Sequence, residues 1–580
     1  MSDSSSAARP RWVHKSDGRL VPFDADTICR DLFAATESLG QPDTFLAREL
    51  TDSVLHFLSV ETEANTPTTA QIVEVTVKVV RELGYPKLAH AFGQQSGRRA
   101  AAVERPQISA ALPLGPTVDE IRQLLSGGAA APPALVWSLS RRCLRDYSLR
   151  AVYSRDIVAA HTGGLIILGG LDAPLELAGY ALGLNEAEVT SGSLAERLLA
   201  VRGVAGDFVA LDGPEYQLES TSAADFARQL RLGLEASGLG AIVNLNCAQP
   251  PASLARPKDG PLFAGSPAPL TAEQRAKIAE SLLECLLTLR SASGNSPVRI
   301  DWHLAAADFQ DPAKKCLLRV ARRAAEGAAL AYVFDRPRRP VSLAEGLDRQ
   351  HPATLMTIGL NLPRLTEQPG VQSRAARFLD KLGSLVRMAL SAATQRRDFL
   401  RRHSEARPDL TSGFLLDRAR LVLTPLGLEA VVQRFTGRGL CDDGTGAALG
   451  RQIVERLVEA VREESRHRYL ESTLDSAESL SLEDQSLAPS GLSSLSPEKA
   501  PGLTCWDPQM PLRHQLRAAG QLQAVTKTGT AMLLLPAEQS ITAEQVVDLL
   551  QRAWQETEIT RLRLLRLPSV QPSHTALWRE

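Results

Sequence analysis

Apolar positions in the first hundred residues change their period along the chain. Val13 to Val21 alternates as a hairpin, two strands around a Ser16-Asp17-Gly18 turn. Beyond it the spacing becomes helical. Asp24 is placed to cap a helix from about Ala25 to Leu39, ended by Gly40. A second helix fits Phe45 to Leu58. Thr69 can cap a third, which runs to Glu82 and stops at Gly84. Pro86 suits the first turn of a fourth, to about Arg99. These elements predict one small, mostly helical domain over 11–105.

Residues 106–135 are rich in Pro, Gly and Ala, with Ser126-Gly127-Gly128 and Pro132-Pro133, and predict a linker holding one short helix near Val118 to Leu125. From 136 to 470 helical stretches alternate with apolar runs such as Leu165-Ile166-Ile167-Leu168 and Ala241-Ile242-Val243-Asn244-Leu245, the pattern of an α/β layer fold. Residues 471–503 are Ser/Leu/Glu-rich with several prolines and predict a disordered or surface insertion. A last segment, 504–570, holds a strand at Ala531 to Leu535, a helix with a Thr542/Gln545 capping box, and a second strand where Arg561-Leu562-Arg563-Leu564 alternates.

Composition narrows the function. A chain of 580 residues predicts two or three domains, and 44% hydrophobic with 23% charged residues is the balance of a soluble globular protein. A net charge of -1 argues against general electrostatic binding of nucleic acid. No apolar run approaches the roughly 20 residues needed to span a bilayer, so no membrane partner is expected. Met1 to Pro10 is Ser/Ala-rich without an apolar core, a loose tail rather than a signal peptide. The seven cysteines, at 29, 143, 247, 285, 316, 441 and 505, form no CxxC pair. They predict a reducing, cytoplasmic setting with neither a disulfide framework nor a zinc ribbon. No histidine pair forms HxxxH or HExxH, so no metal site is expected.

The run Val13-His14-Lys15-Ser16-Asp17-Gly18-Arg19-Leu20-Val21-Pro22-Phe23, the later Gly84-Tyr85-Pro86-Lys87-Leu88-Ala89-His90-Ala91 and the basic pair Arg98-Arg99 resemble an ATP-cone. This is the nucleotide-sensing module at the front of many ribonucleotide reductases. The resemblance implies ATP or dATP as the ligand. In that pattern the first strand, which here carries Val13, bears a basic dipeptide before Asp-Gly. Lys15 matches, while Ser16 replaces the usual Arg, and the lost charge-assisted phosphate contact lowers the expected affinity. Thr27 and Ile28 would lie near the nucleoside, Thr69 would offer a hydroxyl, and Arg98 and Arg99 would face the phosphates. Without the resemblance, Lys15, Arg98 and Arg99 read as solvated surface charges.

Later segments resemble, in order, an anaerobic (class III) ribonucleotide reductase. They are Tyr153 to His161 with Gly164-Leu165; Leu171-Asp172-Ala173-Pro174-Leu175; and Asn361-Leu362-Pro363-Arg364 followed by a long amphipathic helix, about Ser373 to Arg402. Leu426-Gly427-Leu428 with Phe435-Thr436-Gly437, the Gly529-Thr530 strand, the helix to Trp554 and Thr557-Glu558-Ile559 complete the series. The resemblance implies an α/β fold built as a ten-stranded α/β barrel of the glycyl-radical-enzyme type.

That chemistry needs a radical glycine after the last strand, a thiyl cysteine within the barrel, a second active-site cysteine and a four-cysteine zinc site. The last glycine here is Gly529, and no Arg-Val-x-Gly-Tyr signature occurs. The place of the first active-site cysteine reads Gly179-Tyr180. The cysteine of the barrel finger is expected before the Leu330 to Asp335 strand, yet residues 317–440 hold no cysteine. Cys247 is the best remaining candidate thiol, although a small buried hydrophobe is the commoner state of a free cysteine. His161 reads as a helix C-terminal residue before Gly163-Gly164.

The expected function is an ATP/dATP-binding regulatory protein with an inactive reductase-like barrel and no catalytic residues, acting through formation of a homo-oligomer. One alternative is an active reductase-type enzyme whose radical domain is supplied in trans. Another is a plain scaffold whose cone no longer binds nucleotide.

Overall fold

Alternation and helix caps set the N-terminal elements of the computed structural model. It describes residues 10–15, 17–61, 66–99, 132–184, 193–216, 218, 222–246, 271–289, 298–403, 415–476, 510–535 and 539–566, apart from 312, 329, 338, 373 and 443. Strands β1 (Trp12–His14) and β2 (Leu20–Pro22) pair antiparallel with Val13 opposite Val21. The turn closes through Gly18 N–H to Lys15 C=O and Lys15 N–H to Arg19 C=O, each 2.9 Å. Gly18 has φ +80°, the left-handed position that such a three-residue loop requires. Asp24 caps α1 (Ala25–Ser38), and α2 (Thr44–Glu61) follows. Helix α3 (Thr69–Glu82) begins one residue earlier in its capping than the sequence suggests. Thr68, not Thr69, is the cap, in a reciprocal box with Gln71, because Thr68 keeps the extended backbone (φ -81°, ψ 157°) that a cap needs. Helix α4 (Pro86–Arg99) starts on its proline. Val13, Ile28, Leu32, Phe33, Val54, Leu58, Val80 and Phe92 form this domain's core.

Helices α5 (Pro132–Ala151) and α6 (Arg155–Thr162) complete the first of two compact units, residues 1–166 together with 383–396. The helix expected near Val118 to Leu125 lies outside the described residues. His161 does sit in the last turn of α6, but not as a cation: burial and the nearby charge of Arg145 push its pKa down to about 4, against the backbone hydrogen bond at Ile166. It is 1% exposed, so desolvation outweighs the attraction of the helix C-terminus.

The second unit is built on one large sheet. Its strands are β3 (Ile166–Leu168, largely in this unit), β4 (Leu177–Leu182), β5 (Ala205–Asp212), β6 (Gly240–Asn246), β7 (Val298–Leu304), β8 (Leu330–Phe334), β11 (Ala353–Asn361), β12 (Arg420–Leu426), β13 (Ser472–Leu474), β14 (Thr530–Leu535) and β15 (Arg561–Arg566). Ten run in the order β13-β12-β11-β4-β5-β6-β7-β8-β15-β14, with β3 beside β11. Strands β4 to β8 are mutually parallel, as are β11 to β13 and β14 with β15, and the two sets meet antiparallel at β11/β4 and β15/β8. The ends of the path meet where Thr530 N–H donates to Ser476 Oγ (3.2 Å) and the Thr528 hydroxyl donates to Leu474 C=O. This is a ten-stranded α/β barrel.

Strand β13 lies in the stretch whose composition predicts an insertion. Its three residues are held by parallel pairing with Leu421, Val422 and Leu423, which composition does not register. Helices cover the outer face of the barrel, where Val209, Leu211, Val243, Leu245, Trp302 and Leu533 point. The alternate residues Phe208, Ala210 and Ile242 face inward. A further hairpin, β9 (Ser342–Ala344) and β10 (Leu347–Asp348), packs Leu343, Ala344 and Leu347 against them. This inner finger follows the strand 330–334 instead of preceding it as expected, because the chain leaving β8 turns back into the barrel.

Candidate functional site

Two features of the N-terminal domain converge on the end of β1. His14 N–H donates to Pro67 C=O at 3.1 Å, and the Thr69 hydroxyl donates to His14 C=O at 3.3 Å. The first turn of α3 therefore stands beside Lys15, whose side chain is exposed. A helix start offers unpaired N–H groups and the positive end of its dipole, and a lysine next to it adds a full charge. Asp17 accepts from the Arg19 side chain at 2.7 Å and from its N–H at 3.1 Å; these bonds hold the Asp17 carboxyl below the usual range.

The second feature is the start of α1, which leaves β2 directly. Asp24 accepts from Asp26 N–H at 3.0 Å, from the Thr27 hydroxyl at 3.1 Å and from Arg30 at 3.0 Å. Of the expected site residues, Lys15, Thr27 and Thr69 are exposed, while Val13 and Ile28 are buried in the domain core. Arg98 and Arg99 form the last turn of α4. Ser16 lies outside the described residues. Arg30 is an addition that sequence reading missed: it bonds Thr27 Oγ1 at 3.0 Å as well as Asp24, and its i+3 spacing from Thr27 was the available signal.

The barrel interior is the other place where chemistry could reside. Its inner hairpin is clamped by charges from five strands or their ends. Arg349 donates two bonds to Asp212, at the end of β5, at 2.8 and 3.0 Å. Arg299 on β7 pairs with Asp301 at 3.2 Å and with Glu345 at 2.6 Å. Arg561 on β15 pairs with Asp301 at 3.1 Å and donates to Ser342 Oγ at 3.1 Å. Arg420 on β12 pairs with Asp348 at 2.9 Å, and Asp475 after β13 accepts from Gly346 N–H at 2.9 Å. Burial works against the Asp348 charge, but His351 and Arg420 outweigh it and hold the carboxyl below its ordinary range.

Beside this clamp, Glu215 accepts from the N–H and side chain of Asn246, both at 2.9 Å. Burial nevertheless pushes its pKa up to about 7. His303 is held between Asp335 (3.0 Å) and Asn244 (2.9 Å); burial opposes its charge, yet Asp335 raises its pKa.

No thiol enters this interior from the expected positions. A Cβ at Gly179 would meet three atoms of the Phe208 ring at 2.3, 2.6 and 2.7 Å. A Cβ at Gly346, which has φ +68°, would lie 2.2 Å from Val422 Cγ2. Cys29, Cys143, Cys285 and Cys316 are free, whereas Cys441 is disulfide-bonded, contrary to the reading of scattered thiols. Sequence spacing could not foresee a bond that depends on tertiary proximity. Cys247 lies outside the described residues. Among the described residues no group of three or more His, Cys, Asp or Glu is placed to hold a metal ion, and no helix is long and apolar enough to cross a membrane.

The ATP cone domain family matches residues 12–93, so the chain carries an ATP-cone at its N-terminal end. Its fold is that of anaerobic ribonucleotide reductase. The structure of the Thermotoga maritima enzyme in complex with dATP and CTP superposes with a TM-score of 0.60 at 12% identity, over 77% of this chain and 86% of that one. The same enzyme with citrate in the active site gives 0.57 at 13% identity, over 77% and 92%. A further anaerobic ribonucleotide reductase gives 0.55 at 12% identity, over 73% and 78%. No curated protein matches the sequence.

Proposed function

We propose that this chain is an ATP- or dATP-binding regulatory protein whose reductase-like barrel does not reduce ribonucleotides. The observation that carries the second half is the filling of the barrel interior. Phe208 takes the space a side chain at Gly179 would need, and the thiol-free hairpin Ser342 to Asp348 is locked in place by arginine–carboxylate pairs. Class III chemistry relays a radical to a cysteine within the barrel, and neither position supplies one. The ATP-cone supports the first half. Lys15, the Thr69 hydroxyl and the first turn of α3 would hold phosphate, with Arg98 and Arg99 adding charge. Thr27 and Ile28, beside the Val13 strand, would border the nucleoside, and Ser16 stands where a basic residue would add a phosphate contact. No metal is assigned. Nucleotide would act by changing how the chain associates, with a second copy of itself as the simplest partner.

The Lys15→Ala/Arg99→Ala double variant tests the site. Each charge-assisted bond contributes about 1.5–3 kcal/mol, so losing two should weaken nucleotide binding by more than about a hundredfold. Unchanged affinity would displace the site from these residues. Adding a separate glycyl-radical domain with its activase, and finding ribonucleotide reduction, would overturn the inactive reading of the barrel.

A further inference from the structure

We infer that the buried guanidinium of Arg48 relays nucleotide occupancy of the cone to helix α6 and on to residues 383–396, so that the cone is read first by its own chain. The inference rests on the cone binding nucleotide.

Arg48 lies on α2 and is 1% exposed. Its Nη1 donates to Asp26 Oδ1 at 2.7 Å. Asp26 belongs to the first turn of α1, next to Thr27 and Ile28, and its N–H is one that the Asp24 cap holds. A ligand settling on that turn therefore acts on the carboxylate that anchors Arg48.

On its other side the guanidinium is poorly satisfied. Nη2 stands 3.8 Å from Asp156 Oδ2, an ion pair too long to be a hydrogen bond, and both Nη2 and Nε lack hydrogen-bond partners. A buried charge in that state gains from any motion that completes its shell. A shift of about 1 Å between α2 and α6 would bring Asp156 into range, a displacement of the size by which packed helices move in switching proteins. Arg48 thus has two arrangements, one hydrogen-bonded to Asp26 with Asp156 at ion-pair distance and one hydrogen-bonded to both. The Cys29 thiol, which contacts Asp156 Oδ2 at 3.7 Å, is held neutral by burial, its pKa pushed up to about 12, and does not compete as an anion.

The path continues without a gap. Asp156 Oδ1 accepts from Ser154 Oγ at 2.6 Å, and that hydroxyl accepts from Gln395 Nε2 at 2.9 Å. Ser154 N–H donates to Gln395 Oε1 at 2.7 Å, so the Gln395 amide grips both polar groups of one residue. Asp156 C=O also accepts from the Thr44 hydroxyl of α2 at 2.9 Å. Asp52 of α2 accepts from Ser384 Oγ at 3.0 Å and pairs with Arg387, while Glu37 of α1 pairs with Arg155 at 3.2 Å. These outer contacts act as pivots, and the buried Arg48 chain is the part with an unsatisfied member.

The test is hydrogen exchange on the full chain with and without saturating ATP, read by peptide, for the wild type, Asp156→Asn and Gln395→Leu. The Asn variant is isosteric, and Gln395 makes its hydrogen bonds to Ser154 and Ser391, outside the cone, so a thermal melt of each variant separates loss of folding from loss of the relay. In the wild type, ATP should change exchange at 155–162 and 383–396 by about threefold or more. Asp156→Asn should lose both responses, with ATP affinity weakened by about fivefold through linkage. Gln395→Leu should lose only the response at 383–396. A purely structural role would alter exchange equally with and without ATP. If the wild type binds ATP but neither segment responds, or if both variants respond like the wild type, the relay is wrong while the nucleotide reading stands. If calorimetry on the same sample shows no ATP binding, both fall.

Discussion

Replacing Gly179 by alanine adds a single methyl group where Phe208 already stands. The ring atoms lie 2.3, 2.6 and 2.7 Å from the new carbon, far inside van der Waals contact, and Phe208 is itself only 5% exposed. Two effects oppose each other. Alanine restricts the unfolded chain and stabilises by about 0.4–1 kcal/mol where the backbone is ordinary. Overpacking a filled interior costs about 1–3 kcal/mol. With three sub-contact distances to one rigid ring the second effect should win, for a net loss of about 2 kcal/mol. Phe208→Ala alone should cost about 3–5 kcal/mol through its cavity. The double variant gives the decisive number. Alanine at 179 no longer clashes once the ring is gone, so the two losses should fall short of additivity by about 2 kcal/mol. Urea unfolding followed by far-UV circular dichroism would measure the cycle. A neutral Gly179→Ala, or additivity within about 0.5 kcal/mol, would show that the space is not filled by Phe208 and would remove the main argument against a thiol at this strand.

Thr68→Ala should destabilise the cone by about 1 kcal/mol through loss of the capping box, whereas Thr69→Val should leave stability nearly unchanged and weaken nucleotide binding; thermal melts and titration of both variants separate the roles. Arg349→Met should cost about 3–5 kcal/mol, because Asp212 would be left buried and unpaired, and Asp212→Leu added to it should restore part of the loss in urea unfolding. Glu215 should make stability fall as pH rises. Its folded pKa, near 7, lies above the ordinary 4.5, so the folded state holds the proton more tightly and is favoured fully below pH 4.5. The advantage disappears progressively between 4.5 and about 7, a loss on the order of 3 kcal/mol, and Glu215→Gln should flatten that part of the stability–pH curve.

Local chemistry made the cone legible. The Asp24 cap, the Pro86 start and the Gly18 turn each act within a few residues, and the structure has α1 at Ala25–Ser38 and α4 ending at Arg99. The Thr542/Gln545 box likewise opens its helix at Ala543. Thr68 and Thr69 could not be told apart, because both are competent caps and the choice falls to the bridge between His14 and Thr68. The barrel was legible as alternating elements but not as a closed path, since closure at Ser476 and Thr530 joins residues far apart in sequence. For the same reason Arg48 gave no signal. An arginine within an amphipathic helix reads as a solvated charge, and only the fold places Asp26 and Asp156 against it.

Calorimetric titration of ATP and dATP into the full-length protein, with the mass of the complex followed by light scattering, addresses the nucleotide-sensor claim most directly. Saturable binding at about one or two sites per chain is expected, together with a change in oligomer size. No heat up to about 1 mM of either nucleotide would contradict it, and would leave the ATP-cone as a folded domain without its ligand.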